Sequence, residues 1–326
     1  MERQHITILD QHTLALETDA APEPGMGELL IAVDFAGVNR ADVLQRVGLY
    51  PVPADASPIM GLEVAGTIVA IGSAVQDWVV GDKVCALVHG GGYANYAIAR
   101  ADHSLPIPSQ FDTRSAAALP EALLTVWHNI FTLGALQAGE TLLVHGGGSG
   151  IGSIAVQLAK SRGARVVATA GGADKCRAVA ALGADLVIDY RENRLLEALT
   201  DSDLVGRIDV ILDTAGGDYV AVNLAAAAPD GRVVCIGAMR GSKAEIDVFP
   251  ILMKRLILTG STLRGMGISR RAAGFVDIQR EVMPAIEKGG IVPIIDRCFP
   301  LAEAMSAHEF MQSGQHLGKL LLDCRG

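Results

Sequence analysis

The sequence predicts an α/β protein in which a doubly wound, six-stranded parallel sheet is inserted into a barrel-like, mainly antiparallel β domain. Three observations carry this expectation. From residue 141 to 263, short β-rich runs alternate with helical patterns, the signature of a parallel sheet with crossover helices. Residues 1–120 instead hold alternating runs such as "ELLIAVDFAGV" and "VAGTIVAIG", broken by turn signals at "EPGMGE" and "VVGDKV", as an antiparallel β region requires. Residues 263–326 hold one helical stretch, "FVDIQREVMPAIEKG", and one apolar strand, "GKLLLD". That is too little for a further large domain, so these residues are expected to return to the N-terminal part.

The expected strands of the parallel sheet are 141–145, 165–170, 186–190, 210–214, 232–238 and 256–263. Between the first two, Ile151, Ile154, Ala155, Leu158 and Ala159 repeat one turn apart and predict a helix over 151–162. Between the second and third, "DKCRAVAALGAD" reads as a helix closed by Gly183. The expected domains are therefore 1–121 with 263–326, and 122–262.

Composition narrows the function classes. Half of the 326 residues are apolar and 19% are charged, which suits two packed cores and excludes a disordered chain. No apolar run is long enough to span a bilayer, and "MERQHITILD" lacks the apolar core of a signal peptide, so a cytoplasmic protein is expected. Cys85, Cys176, Cys235, Cys298 and Cys324 are widely spaced and form no CxxC, against a disulfide frame or a zinc knuckle. A net charge of −9 with 4% aromatic residues makes a nucleic-acid partner unexpected.

The stretch "TLLVHGGGSGIGSIAVQLAK" carries five glycines within seven residues, between an apolar run and an amphipathic one. It reads as strand, tight turn and helix, with the helix N-terminus free to receive a pyrophosphate. The strict GxGxxG spacing does not fit at any register: with Gly147 first and Gly152 last, Ser149 takes the middle glycine's place. The pattern alone leaves an ordinary glycine-rich loop open.

"GVNRADVLQRVGLYP", "GLEVAGTI", "LPEALLTVWHNI", "VHGGGSGIG", "VIDY", "ILDTAGG" and "HLGKLLL" follow one another along the chain. Together they resemble the medium-chain dehydrogenase/reductase superfamily in its zinc-free quinone oxidoreductase branch. The likeness extends to the group containing the tumour-suppressor-inducible human quinone oxidoreductase, which also has serine at the place of Ser149. The resemblance implies a Rossmann domain inserted into a GroES-like domain. In the similar zinc alcohol dehydrogenases a cysteine stands at the place of Asn39, a histidine at that of Leu62, and a third ligand falls near Glu121; the four-cysteine lobe is missing after Val84. Zinc needs three or four N, S or O ligands, so chemistry without a metal is expected.

The resemblance also implies the site. Gly147, Gly150, Ile151 and Gly152 would meet the cofactor's pyrophosphate. Ser149 is either a small residue in the missing glycine's place or a hydroxyl facing nicotinamide or substrate. His145 is left out of the mechanism, because a histidine ending a strand is more often packed than catalytic. The second strand ends "VVATAGGADK" without the acid that selects NAD. Gly171 leaves room for a phosphate, Lys175 offers a charge or is a solvated helix-face lysine, and Tyr190 matches a tyrosine beside the adenosine phosphate. NADPH is thus the expected cofactor. Thr214, Ala215, Gly237 and Met239, with Leu263 in the loop "STLRGMG", would border the nicotinamide. In the N-terminal domain Asn39 would hydrogen-bond ribose or substrate, and Asp42 would be structural. Tyr50 would be either a neutral donor in the substrate cleft or a tyrosine of an exposed loop.

The resulting expectation is an NADPH:quinone oxidoreductase acting on a small quinone or enone. The alternatives are an NADPH-dependent reductase of activated C=C bonds, in an alkenal or an enoyl thioester, and a low-turnover NADPH-binding protein. A homodimer through the edge strand near 256–263 is expected from the same resemblance.

Overall fold

The computed structural model describes residues 1–192 and 194–325. They divide into two units: residues 1–124, 268–288 and 292 onward, and residues 125–267 with 289–291. The first unit holds β1 (Glu2–Asp10), β2 (Thr13–Ala20), β3 (Glu28–Val38), β4 (Glu63–Ile71), β5 (Lys83–Leu87), β6 (Tyr96–Arg100) and β7 (Ser104–Pro106). The second holds β8 (Thr141–Val144), β9 (Arg165–Ala170), β10 (Leu186–Asp189), β11 (Ile208–Asp213), β12 (Ala227–Cys235) and β13 (Ile257–Gly260). The chain then returns to the first unit with β14 (Ile295–Pro300) and β15 (Lys319–Asp323).

In the first unit the strand order is β14-β15-β3-β4-β5-β7, with β6 also pairing β3, and β1 and β2 form a separate hairpin. All pairs in the larger sheet are antiparallel except β14–β15. β3 slips register against β4 at Leu30/Ile31 and again at Val33/Phe35. Such bulges bend and twist a strand, as a sheet curling toward a barrel requires. Its interior is filled by Leu29, Ile31, Val33, Val64, Ile68, Leu320 and Leu322, each contributing about 1.5–3 kcal/mol of apolar burial.

The second unit is a six-stranded parallel sheet in the order β10-β9-β8-β11-β12-β13. The chain starts at the middle, builds outward to β10, and returns to the other side of β8. The crevice at the carboxyl ends of β8 and β11 is therefore the switch point where such sheets bind ligands. Leu142 to Val144 on β8 are buried, as are Ile154, Ala155, Leu158 and Ala159 on helix Gly150–Ser161.

The parallel sheet follows the expected strands, with differences at the ends. β13 is shorter than 256–263, and β12 begins earlier than 232. The stretch "FVDIQREVMPAIEKG" is two helices, Ile268–Glu281 and Met283–Glu287. Pro284, at the start of the second, lacks the N–H that would continue the first. β14 was not expected, because its charged Asp296 and Arg297 are exposed and mask its pairing with β15.

Asp42 lies fully buried under this barrel. Its carboxylate accepts from the backbone N–H of Asn39 at 2.8 Å, from that of Gly61 at 3.2 Å and from the Tyr93 hydroxyl at 3.2 Å. Burial outweighs these hydrogen bonds and the nearby Lys319 charge, and pushes its pKa up to about 7. A carboxyl that keeps its proton only when folded makes the fold less stable as pH rises from about 4 to about 7, by up to about 4 kcal/mol, with no further change above. Asp42→Asn is expected to flatten this slope. Trp78 belongs to the first unit and Trp127 to the second. Urea unfolding followed by Trp78 fluorescence in a Trp127→Phe background, at pH 5 and pH 8, measures it; an equal pH dependence in the variant would refute the assignment.

Candidate active site

The glycine corner joins β8 to helix Gly150–Ser161. Gly146 turns the chain with φ +71°, a left-handed conformation that glycine adopts without strain. The backbone is then tied down: the Gly146 N–H goes to Thr169 Oγ1 at 3.1 Å, Gly147 N–H to the Thr169 carbonyl at 2.8 Å, and Ser149 N–H to the Gly146 carbonyl at 2.9 Å. Ser149 is the helix N-cap, and its Oγ accepts from the Gly152 N–H at 2.9 Å. What remains at the helix start are the N–H groups of Gly150 and Ile151, next to the positive end of the helix dipole. A Cβ on Gly152 would stand 2.2 Å from the Gly146 carbonyl oxygen, and one on Gly147 2.9 Å from both the Ala168 and Val179 side chains. Both glycines are thus demanded by close packing of helix on strand.

His145 locks the corner from beneath. Its Nε2 lies 2.8 Å from Asn223 Oδ1 and its Nδ1 3.5 Å from Thr169 Oγ1. Burial pushes its pKa down, so it is neutral. With Nε2 donating to Asn223, Nδ1 is left to accept from Thr169, whose oxygen in turn receives the Gly146 N–H. The histidine is thus a structural link.

At the end of β9, a Cβ on Gly171 would meet the Tyr190 hydroxyl at 2.5 Å and Arg191 Nε at 3.1 Å. Gly172 takes φ +94° and donates to Asp189 Oδ1 at 2.9 Å, an oxygen that also accepts the Arg191 N–H at 3.0 Å. Asp189, an acid ending β10, therefore folds "VIDYR" against the Gly171–Gly172 turn and brings Tyr190 and Arg191 to it. Lys175 lies half-buried on helix Ala173–Ala181, which starts at this turn. Arg191 is a cation that reading the second strand alone does not place here; the signal for it was the sequence position next to Tyr190.

The ends of β8, β11 and β12 also come together. Thr214 Oγ1 donates to the His145 carbonyl at 3.0 Å, and a Cβ on Gly237 would lie 2.7 Å from the Thr214 carbonyl oxygen. Asp213 Oδ1 accepts from Ala215 N–H at 2.7 Å and Gly216 N–H at 2.9 Å, which turns the chain sharply after β11. Met239 follows, exposed, and Leu263 lies half-buried just beyond β13.

In the first unit Asn39 caps helix Arg40–Arg46, and Tyr50 follows just past that helix, half-buried. Asn39 is itself buried in a charged cluster. Its Oδ1 accepts from Lys319 Nζ at 2.6 Å, and its Nδ2 donates to Glu63 Oε1 at 2.9 Å. The same ammonium donates to Glu63 Oε1 and, at 3.2 Å, to Glu121 Oε2. Glu63 Oε2 accepts the Glu121 backbone N–H at 3.0 Å. Burial opposes the charge on Lys319, but the Glu63 and Glu121 carboxylates outweigh it and hold its pKa above the ordinary lysine value. A Cβ on Gly37 would stand 2.2 Å from Glu63 Oε1, so this glycine of "GVNRAD" makes room for the carboxylate. Glu63, Lys319 and Gly37 were missed as site residues. The signal was there: charged residues inside otherwise apolar strands.

Gly152→Ala is expected to weaken the second unit by about 1–3 kcal/mol through overpacking. Thermal unfolding followed by Trp127 fluorescence in a Trp78→Phe background reads this. An unchanged midpoint would show that the corner tolerates a Cβ.

Residues 150–278 match the model of the zinc-binding dehydrogenase family, and residues 25–109 that of the alcohol dehydrogenase GroES-like domain. The chain is 30% identical over 312 residues to the quinone oxidoreductase of Rattus norvegicus, covering 95% of this chain and 93% of that protein. It is 32% identical over 316 residues to a polyketide synthase of Streptomyces halstedii, which takes in 96% of this chain and 5% of that protein. Among solved structures, Escherichia coli quinone oxidoreductase complexed with NADPH superposes with a TM-score of 0.88 at 28% identity, covering 99% of this chain and 100% of that one. The donors at the expected zinc positions do not suit the metal named in the family description: an amide already bonded at both ends, the alkyl side chain of Leu62, and a carboxylate with an ammonium 3.2 Å away. The chain belongs to the medium-chain dehydrogenase/reductase superfamily as a quinone oxidoreductase-like oxidoreductase.

Proposed function

We propose that this oxidoreductase transfers a hydride from NADPH to a quinone without a metal. The observation that carries the reading is the Asn39 amide, held by Lys319 and Glu63 where similar zinc enzymes have a cysteine. An amide N–H is a weak electrophile. It suits an acceptor that spreads its developing negative charge over a conjugated ring better than one that gathers it on a single alkoxide oxygen. Asn39 and Tyr50 are the hydrogen-bond donors offered to ribose or acceptor. Ser149, its oxygen engaged in capping, retains a hydroxyl hydrogen for the same use. NADPH, when bound, supplies the hydride, and the chain supplies orientation and charge complementarity.

The Gly150 and Ile151 N–H groups would hold the pyrophosphate beside Gly147 and Gly152, while Thr214, Gly237, Met239 and Leu263 would border the nicotinamide. The turn at Gly171, with Tyr190, Arg191 and Lys175, would take the adenosine phosphate; the likeness to an NADPH-bound quinone oxidoreductase supports that choice. The likeness to part of a polyketide synthase is the reason to keep a second reading, reduction of an activated C=C bond. Steady-state rates with a panel of quinones and alkenals separate the two; saturation by alkenals alone would overturn the first, and turnover of neither would leave a nucleotide-binding protein.

A homodimer through the edge of the parallel sheet is part of the same proposal. Among the described residues β13 pairs only with β12, and helix Phe249–Lys254, just before it in the chain, has no buried residue. Leu252 is 70% exposed, Met253 63% and Ile257 51%. So much apolar surface next to an open strand edge invites a second copy. Leu252→Glu is expected to shift sedimentation from dimer to monomer; a wild type that sediments as a monomer at micromolar concentration would refute this interface.

Cofactor choice gives the other prediction. One hydrogen bond between a charged group and the adenosine phosphate contributes about 1.5–3 kcal/mol, a preference for NADPH over NADH of roughly 10- to 150-fold. Arg191→Ala and Lys175→Ala are each expected to cut NADPH affinity about tenfold or more and to leave NADH nearly unchanged. Fluorescence titrations with both nucleotides at one ionic strength measure this. Equal affinities in the wild type would refute the cofactor assignment.

A further inference from the structure

Lys319 opens β15 and is 4% exposed. An ammonium in such a place costs several kcal/mol unless it is paired and fully hydrogen-bonded. It has three N–H donors, and they meet three acceptors: Asn39 Oδ1, Glu63 Oε1 and Glu121 Oε2. Glu63 receives the other end of the same amide, Asn39 Nδ2. The amide oxygen therefore faces a cation and the amide nitrogen an anion. Turning it over would set NH2 against NH3⁺ and C=O against a carboxylate, so one orientation is enforced. Its second N–H has no partner among the described residues.

From this geometry we infer that Lys319 is a positioning residue for the reaction: with Glu63 it locks the Asn39 amide so that its spare N–H is offered to the ligand in one fixed direction. The cluster does with side-chain hydrogen bonds what coordination to a metal would otherwise do, namely hold a polarising group still. The inference rests on the proposed contact between Asn39 and ribose or acceptor, so its test separates the two.

The spare variable is the fold, because Lys319→Met alone strands two buried carboxylates. Lys319→Met/Glu121→Gln keeps the cluster's net charge and is the variant to use. In ligand-free protein labelled with 15N-asparagine, Asn39→Ala identifies the Asn39 side-chain amide resonances. The wild type is expected to show two well-separated, slowly exchanging N–H signals, and the double variant a pair that exchanges freely. An unchanged pair would overturn the inference. Rates of 1,4-naphthoquinone reduction by NADPH form the second arm. Asn39→Ala and Lys319→Met/Glu121→Gln are each expected to lower kcat/KM about 10- to 100-fold. Combining them is expected to lower it no further. Multiplying losses would mean that Lys319 acts elsewhere than through Asn39 and would also overturn the inference. If Asn39→Ala reduces the quinone at the wild-type rate while the locked amide signals are present, the ligand contact of Asn39 is what falls, and the positioning role for the reaction falls with it.

Discussion

One buried ammonium sets the chemistry of the first unit. Lys319 pairs with both Glu63 and Glu121, and both carboxylates are buried. Remove it and two buried carboxylates lose the ammonium between them; keep it and Asn39 Oδ1, Glu63 Oε1 and Glu121 Oε2 all accept from one donor group. The demand reaches back into the sequence. Gly37 must lack a Cβ for Glu63 to fit, Glu121 must start its helix where its own N–H meets Glu63, and β15 must pair with β3 so that Lys319 enters beside them. "GVNRAD", "GLE", "LPE" and "GKLLL" are separate in the chain because they are four sides of one cluster.

The second unit depends on a different constraint, the absence of side chains. At the corner after β8 the backbone spends four donors on itself: Gly146 and Gly147 on Thr169, Ser149 on Gly146, Gly152 on the Ser149 hydroxyl. The N–H groups of Gly148, Gly150 and Ile151 take no part in these bonds, and the last two are adjacent at the start of a helix, which is a more specific statement than the richness in glycine that first marks the stretch. Ser149 explains why the missing glycine does not matter. A residue there needs φ −79° and ψ 169°, ordinary extended values, and its oxygen satisfies a helix N–H that glycine would leave open.

The periodic parts of the fold were legible because the central strands of the parallel sheet are buried on both faces and the helix after β8 carries one apolar stripe. β14 was not, since exposed Asp296 and Arg297 sit on a strand paired with only one neighbour. The break at Pro284 was written in the sequence and passed over because apolar spacing continues through it. In the site, single residues at strand ends were legible from topology alone. Relations were not: that Asp189 pins Tyr190 and Arg191 to Gly171, or that His145 serves Thr169, needs three dimensions. Lys319 was hardest, because a lysine beside "LLL" at the end of a chain looks like a solvent-facing strand end until its partners, far away in sequence, are seen.

Charge balance links these observations to the acceptor. Within the cluster the Lys319 ammonium is shared by two carboxylates, so the cluster itself carries no net positive charge to gather a full negative charge on one oxygen. Asp42, close by and inclined to keep its proton near neutral pH, adds no anion at lower pH and one more at higher pH. A cluster of this charge suits the proposed acceptors, whose reduction spreads charge and draws protons from solvent. It disfavours those that need a localised alkoxide held by a strong electrophile. The fold permits many hydride acceptors; the charge balance of this cluster supports the proposed conjugated acceptor over one that needs a localised alkoxide.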